Sequence, residues 1–205
     1  MSKFAKGQYT CAGCGREQEI TVYETVDVST EPELKEKIAD KSLFFQTCPN
    51  CGQPVTMNYP FLYEDTARKL HIYLLWDEEK SIQDDGDFEE GAVVRVVRSI
   101  HALNDKINIF DYDLSDKIME LTKFTLKLSA GRNDPEMKDS SLYFGGIEED
   151  GSMIFAVAPP TGPVKLAKAD RGIYDKIESQ RAFDREEIPG EFEIDELWAA
   201  NQMMR

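Results

Sequence analysis

Two histidines, His71 and His101, are all that this 205-residue chain contains, and that scarcity leaves metal-assisted hydrolysis or a catalytic triad few players to draw on. His71 falls within an expected strand and His101 in the first turn of an expected helix, where structural roles are the ordinary ones. The sequence also lacks a Gly-x-Ser-x-Gly elbow, a phosphate-binding loop and a dinucleotide fingerprint, so nucleophile and cofactor chemistry have no recognisable frame. Gly145-Gly146 instead suits a strand edge or bulge. Long apolar runs are missing too. None approaches the roughly 20 residues of a bilayer span, and residues 1–10 lack the apolar stretch of a signal peptide. A soluble, cytoplasmic protein without membrane association is expected.

Basic residues are the next shortage: 24 Lys and Arg face 39 Asp and Glu, for a net charge of -15. Such a balance opposes nonspecific attraction to nucleic-acid backbones and anionic membranes. The excess is concentrated at residues 77–90, with eight acids against one lysine, and this aperiodic stretch reads as a solvated linker. Its Asp84-Asp85-Gly86-Asp87 motif lacks the alternating acids and the closing Glu of a calcium loop. With 41% hydrophobic residues the chain can still bury a sizeable core, as one globular domain or two small ones.

Only four cysteines are present, and all fall in two Cys-x-x-Cys-Gly segments: Cys11-Ala-Gly-Cys14-Gly15 and Cys48-Pro-Asn-Cys51-Gly52. In a reducing cytosol such pairs are ligands or redox centres before they are disulfides. Each glycine supplies the positive φ that follows the second cysteine of a metal knuckle. Two knuckles provide four thiolates in tetrahedral array, which closes the coordination sphere and leaves no position for substrate or activated water. A redox pair would sit at the start of a helix, whereas polar or strand-like sequence follows each pair here. One structural Zn2+ held by Cys11, Cys14, Cys48 and Cys51 is therefore expected, with iron or redox use as alternatives.

Thirty-three residues separate Cys14 from Cys48, and they carry structure of their own. Residues 19–28 alternate and are β-branched, as in a half-buried strand. Thr30-Glu31-Pro32-Glu33 has a capping-box pattern with proline in the first turn, and Leu34 and Ile38 share one helical face. Residues 43–46 then read as a strand delivering the second knuckle.

These features resemble the CpXC family of prokaryotic proteins. The resemblance rests on the paired knuckles, Pro32-Glu33-Leu34-Lys35-Glu36-Lys37, Thr47-Cys48-Pro49-Asn50-Cys51-Gly52 and Tyr59-Pro60-Phe61-Leu62-Tyr63-Glu64-Asp65. Arg95-Val96-Val97-Arg98-Ser99 and the helix near residues 116–123 are similar as well, so that roughly residues 9–125 are covered. The resemblance implies a zinc-type site and no particular reaction.

Residues 53–58 and 70–76 read as antiparallel strands separated by a polar turn at 64–69, and 92–97 as a further strand. Ser99 is placed to cap a helix with Ile100, Leu103, Ile107 and Phe110 at helical spacing. Asp113 or Ser115 starts a second, with Ile118, Leu121, Phe124 and Leu128 inward. After a break at 131–141, Leu142, Phe144, Met153, Phe155 and Val157 alternate around Asp150-Gly151, the pattern of a hairpin. A third strand at 164–167 and helices near 170–180 and 194–204 follow. The expected class is α+β: a zinc-ribbon-like antiparallel sheet with inserted strand and helix (1–78), an acidic linker or loop (79–91), a strand with two helices (92–130), and a β-meander with C-terminal helices (141–205).

Asp111, Asp113, Asp116 and Glu120 form the tightest carboxylate set outside the linker. Such acids can serve general acid–base or magnesium chemistry, but N-terminal helix charges favoured by the dipole are the plainer reading. At the C-terminus, Ile194, Leu197, Trp198, Met203 and Met204 could line one side of a short helix, docked on the protein's own core. The leading functional expectation is a non-enzymatic, zinc-stabilised module that binds a protein partner or itself. A nucleic-acid or transcription-associated zinc ribbon is the alternative, kept open by Lys3, Lys6 and Arg16 beside the first knuckle. An enzyme with a site near Asp111 to Glu120 is the third.

Overall fold

The structure, a computed structural model, describes residues 1–77, 79–82, 88–132, 134–181 and 186–204. Residues 84–87, and with them the middle of the expected acidic linker, lie outside that set. The chain is α+β and packs as two compact units, Met1–Ile100 and His101–Arg205.

In the first unit, β1 (Lys3–Thr10) and β2 (Glu17–Asp27) form a long hairpin, followed by α1 (Glu33–Ala39), β3 (Phe45–Thr47), β4 (Pro54–Thr56), β5 (Phe61–Asp65), β6 (Leu70–Leu74) and β7 (Val93–Val97). Five strands form one sheet in the order β1-β2-β5-β6-β7, while β3 and β4 make a separate two-stranded ribbon. The sheet is mixed rather than antiparallel, because β2 pairs with β5, and β6 with β7, in parallel. Parallel neighbours need a long crossover, which residues 28–60 and 75–92 supply. The strand expected with the helices of 92–130 is thus an edge of this sheet. Residues 53–58 do not join it either; the partner of β6 is β5, so only residues 66–69 of the expected 64–69 turn lie between strands.

The buried face follows the two-residue period of a strand: Phe61 and Tyr63 of β5, Ile72 and Leu74 of β6, and Val26 of β2 are buried. Phe44 meets Phe61 edge to face, with ring centroids 5.1 Å apart. In α1, Leu34 and Ile38 are buried as their spacing requires. The capping box does not form, however. Pro32 occupies the N-cap in a helical conformation, and the Thr30 hydroxyl donates to the Asp27 carbonyl instead, closing a turn at the end of β2.

The second unit contains α2 (Ile100–Asp111, whose first residue belongs to the first unit), α3 (Asp116–Ala130), α4 (Pro135–Asp139), the meander β8 (Ser141–Ile147), β9 (Met153–Ala158) and β10 (Lys165–Ala169), then α5 (Gly172–Gln180) and α6 (Glu196–Met203). Its sheet is antiparallel in the order β10-β9-β8. Ser115 starts α3 by accepting from the Ile118 N–H. Asp134 and Pro135 start α4, a short helix within the stretch expected to be a break. Gly146, with φ 143°, marks an irregularity in the β8–β9 register, as the glycine pair suggested.

Ile118, Met119 and Leu121 of α3 pack with Leu142, Phe144, Met153, Phe155, Tyr174, Ile194 and Trp198 into one core. Leu128 is half exposed and does not face inward. The C-terminal helix docks here, but its apolar residues divide between faces: Ile194, Trp198 and Ala199 are buried, whereas Leu197, Met203 and Met204 are exposed. Trp198 is fixed at three points. Its backbone N–H bonds the Asp195 cap at 2.9 Å, its indole N–H donates to Glu191 at 2.7 Å, and its ring lies 5.9 Å from the Lys117 ammonium. Replacing Trp198 with Ala should destabilise the second unit by about 3 kcal/mol or more, while Leu197→Ala should change stability by no more than about 0.5 kcal/mol. Urea unfolding of the two variants checks the contrast.

Candidate metal centre

Each cysteine pair occupies the tip of a β-hairpin, where the chain must reverse. The β1–β2 hairpin carries Cys11 and Cys14, and the β3–β4 ribbon carries Cys48 and Cys51. The two tips have the same local bonding. Cys11 N–H donates to Arg16 O at 3.0 Å and Gly15 N–H to Cys11 O at 2.8 Å; Cys48 N–H donates to Gln53 O and Gly52 N–H to Cys48 O, both at 2.9 Å. Gly15 and Gly52 have φ of 69° and 74°, a left-handed conformation that a side chain would strain.

The two tips face each other, and all four sulfur atoms lie within 4.8 Å of one another. Cys11 Sγ is 3.7 Å from Cys51 Sγ, and Cys14 Sγ is 3.8 Å from Cys48 Sγ. A tetrahedral thiolate site with metal–sulfur bonds of about 2.3 Å has sulfur–sulfur edges of about 3.8 Å. The cluster can therefore hold a metal ion with little rearrangement. Cys11 and Cys48 are buried and Cys14 and Cys51 exposed, so each hairpin contributes one inner and one outer sulfur. Arg16 joins the tips through a 2.9 Å hydrogen bond to Asn50.

The surroundings favour anionic sulfur. The Cys11 thiol is drawn down to about 6, first by the Tyr9 hydroxyl beside it and then by the Gly13 and Cys14 N–H groups, against desolvation. At Cys48, burial opposes ionisation but is outweighed by the Cys51 and Asn50 N–H groups together with Gln18, whose Nε2 donates to Cys48 Sγ at 2.8 Å. For Cys51 the Gln53 N–H favours the thiolate, yet the crowded sulfurs of Cys48, Cys11 and Cys14 push its pKa up to about 12. Four sulfurs at these separations can ionise together only with a cation among them. The Tyr9 hydroxyl is buried without a hydrogen bond of ordinary geometry, so its effect on Cys11 is one of proximity; a thiolate at Cys11 would give it an acceptor.

Tyr9 and Gln18 are direct cross-strand partners in the β1–β2 hairpin. Sequence reading singled out neither. Their position, with Tyr9 two residues before Cys11 and Gln18 across from Tyr9 by strand register, on a strand with period two, is the signal that could have found them. The histidines stand apart from the metal centre in their contacts: His71 lies 3.4 Å from Glu64, and His101 stacks on Tyr143 with centroids 5.5 Å apart.

Residues 9–123 match the family model described as CpXC protein. No curated protein and no solved structure matches the chain. No helix among the described residues is long and apolar enough to cross a membrane.

The carboxylates considered as an alternative site do not gather as a set. Asp113 is exposed at the left-handed turn before α3, with φ 54°. Asp116 and Glu120 share a helix face as predicted, but both are buried against Lys106, at 3.2 and 2.9 Å. Lys123 completes the cluster at 2.8 Å from Glu120 and 2.7 Å from Asp105, whose other oxygen accepts the Phe144 N–H. The bonds lock α2 to α3 and β8 within the second unit.

Desolvation opposes charge on Asp105, Glu120 and Lys123. Lys106 and Lys123 nevertheless hold Glu120 below its ordinary range, burial leaves Asp105 above its own, and Asp105 and Glu120 raise Lys123. A lysine raised in the folded state contributes stability that is full below its unfolded value of about 10.4 and is lost as pH climbs through the folded one. Lys123→Met, which strands buried carboxylates, should cost about 3–5 kcal/mol at pH 7. Its deficit relative to the parent should shrink above about pH 10.4, as urea midpoints measured from pH 7 to 11 would record.

Proposed function

The chain belongs to the CpXC family, and on that premise we propose that it is a non-enzymatic cytoplasmic interaction module stabilised by one structural zinc ion. Cys11, Cys14, Cys48 and Cys51 are the ligands in this reading. The observation that carries it is the meeting of two hairpin tips as a four-sulfur set with tetrahedral spacing. Sulfur-only donors suit zinc, and four of them fill its sphere, so the metal's role is to join the hairpins rather than to activate a substrate. Tyr9, Gln18 and the knuckle N–H groups temper the about two excess negative charges that four thiolates leave on a divalent ion.

The rival readings draw less support. Of the basic residues beside the first knuckle, Lys6 is paired with Glu19 at 2.7 Å and Arg16 with Asn50, which reduces what they can offer a phosphate. Of the acids that could have built an enzyme site, Asp116 and Glu120 are bound to lysines and Asp113 is exposed at a turn. A protein partner, or a second copy of the chain, remains the reading we favour, and a partner with basic character suits the net charge of -15.

Protein prepared without added metal should contain one equivalent of zinc by elemental analysis, and Cys48→Ser should abolish stoichiometric binding and lower the melting temperature of the first unit. Metal-free protein with four titratable thiols and an unchanged melting curve would contradict the proposal. Titration with duplex and single-stranded oligonucleotides at physiological salt should give no appreciable binding. Tight, steeply salt-dependent binding that is lost on replacing Lys3, Lys6 and Arg16 with Ala would favour the nucleic-acid reading.

A further inference from the structure

Strands β2 and β5 pair for only three residues, Thr25–Asp27 against Leu62–Glu64. Before that, β2 continues beside β1 over residues 17–24, whereas β5 begins only at Phe61, and the end of their pairing leaves a fork. In the fork lies a cavity of about 470 Å³, lined by Val22 and Glu24 of β2, Leu62 of β5, Tyr73 of β6, and Tyr59 and Leu75. The volume is in the range of small-molecule sites, and a mostly apolar lining with a few polar groups is their usual composition.

The walls are held from behind. The Tyr59 carbonyl accepts the Trp76 indole N–H at 2.8 Å, its hydroxyl reaches the Leu43 carbonyl at 3.4 Å, and its ring lies 6.0 Å from that of Phe44. Burial pushes the Tyr59 hydroxyl up to about 12, so the ring presents a neutral face. Glu24 brings the lining's one formal charge, is exposed, and makes no hydrogen bond or ion pair among the described residues. An unpaired carboxylate beside two tyrosine rings complements a cation with an apolar body, which gains from charge and from the ring faces together.

We infer that the β2–β5 fork is a binding site for a small aromatic or aliphatic amine, with the apolar body between Tyr59, Tyr73, Val22 and Leu62 and the ammonium group at Glu24. The site is separate from the four sulfurs and does not depend on which metal they hold.

The test uses the full-length protein as purified, labelled at valine and leucine methyls, and titrated with tryptamine and, separately, indole-3-propionate. The two probes share a ring and differ in charge. Tryptamine should shift the Val22, Leu62 and Leu75 methyl signals saturably, with an affinity about five-fold or more above that of the acid. Glu24→Gln, a surface substitution that leaves the walls intact, should bring the two affinities within about two-fold. Absence of saturable shifts at those methyls with tryptamine at about 10 mM would overturn the site. Equal affinity for both probes, or an amine preference unchanged in Glu24→Gln, would overturn the role of the carboxylate and with it the assigned ligand class.

Discussion

Mutual repulsion among four sulfur atoms is the constraint on which the first unit turns. The hairpin tips bring thiols close enough that they cannot all ionise without a cation between them, in keeping with the pKa of Cys51, which Cys48, Cys11 and Cys14 push up. Everything near the tips serves that approach. Gly15 and Gly52 let the backbone reverse, the N–H groups turn toward sulfur, and Arg16 holds Asn50 across the gap. A short two-stranded ribbon with half-exposed residues has little apolar surface to bury, so a metal ion at its tip would add much to the stability of the β3–β4 hairpin.

The second unit solves a different problem with charges of both signs. Asp105, Lys106, Asp116, Glu120 and Lys123 are all buried, and charges removed from water are tolerable only when each finds an opposite partner. The ion pairs specify how α2 lies on α3, while the aromatic core around Phe144, Phe155 and Trp198 supplies burial. Ionic contacts of this kind contribute less to net stability than to choosing one packing among several, because any shift of α3 leaves a buried charge alone.

Much of this was legible in the sequence. The cysteine spacing with trailing glycines located the four cysteines that meet and could hold a metal ion, and alternation around Asp150-Gly151 located the β8–β9 hairpin. What was not legible has physical reasons. Strand β1 is exposed over most of its length, so no burial period betrays it. Strand β5 ends in Glu64 and Asp65, residues that read as a turn, although Asp65 is buried on its inner face. Parallel pairing is invisible to local pattern, since it depends on where residues 28–60 return the chain. Asp116 and Glu120 were placed on one face correctly, but their partners Lys106 and Lys123 lie in amphipathic helices with polar residues beside them, where lysines are ordinarily in water.

The crossover between β2 and β5 contains the second knuckle, and this placement bears on the order of assembly. Pairing these strands in parallel requires closing a loop of residues 28–60, at an entropic cost that precedes any reward from the sheet. A metal held by Cys11, Cys14, Cys48 and Cys51 would tie the far part of that loop, through Cys48 and Cys51, to the hairpin turn that precedes β2. Once the knuckles are joined, Phe61 is ten residues of chain from a fixed point at Cys51, and the search for its place beside β2 becomes short. On this topology the ion would act as a folding template before it acts as a brace, setting the rate at which the sheet forms as well as its final stability.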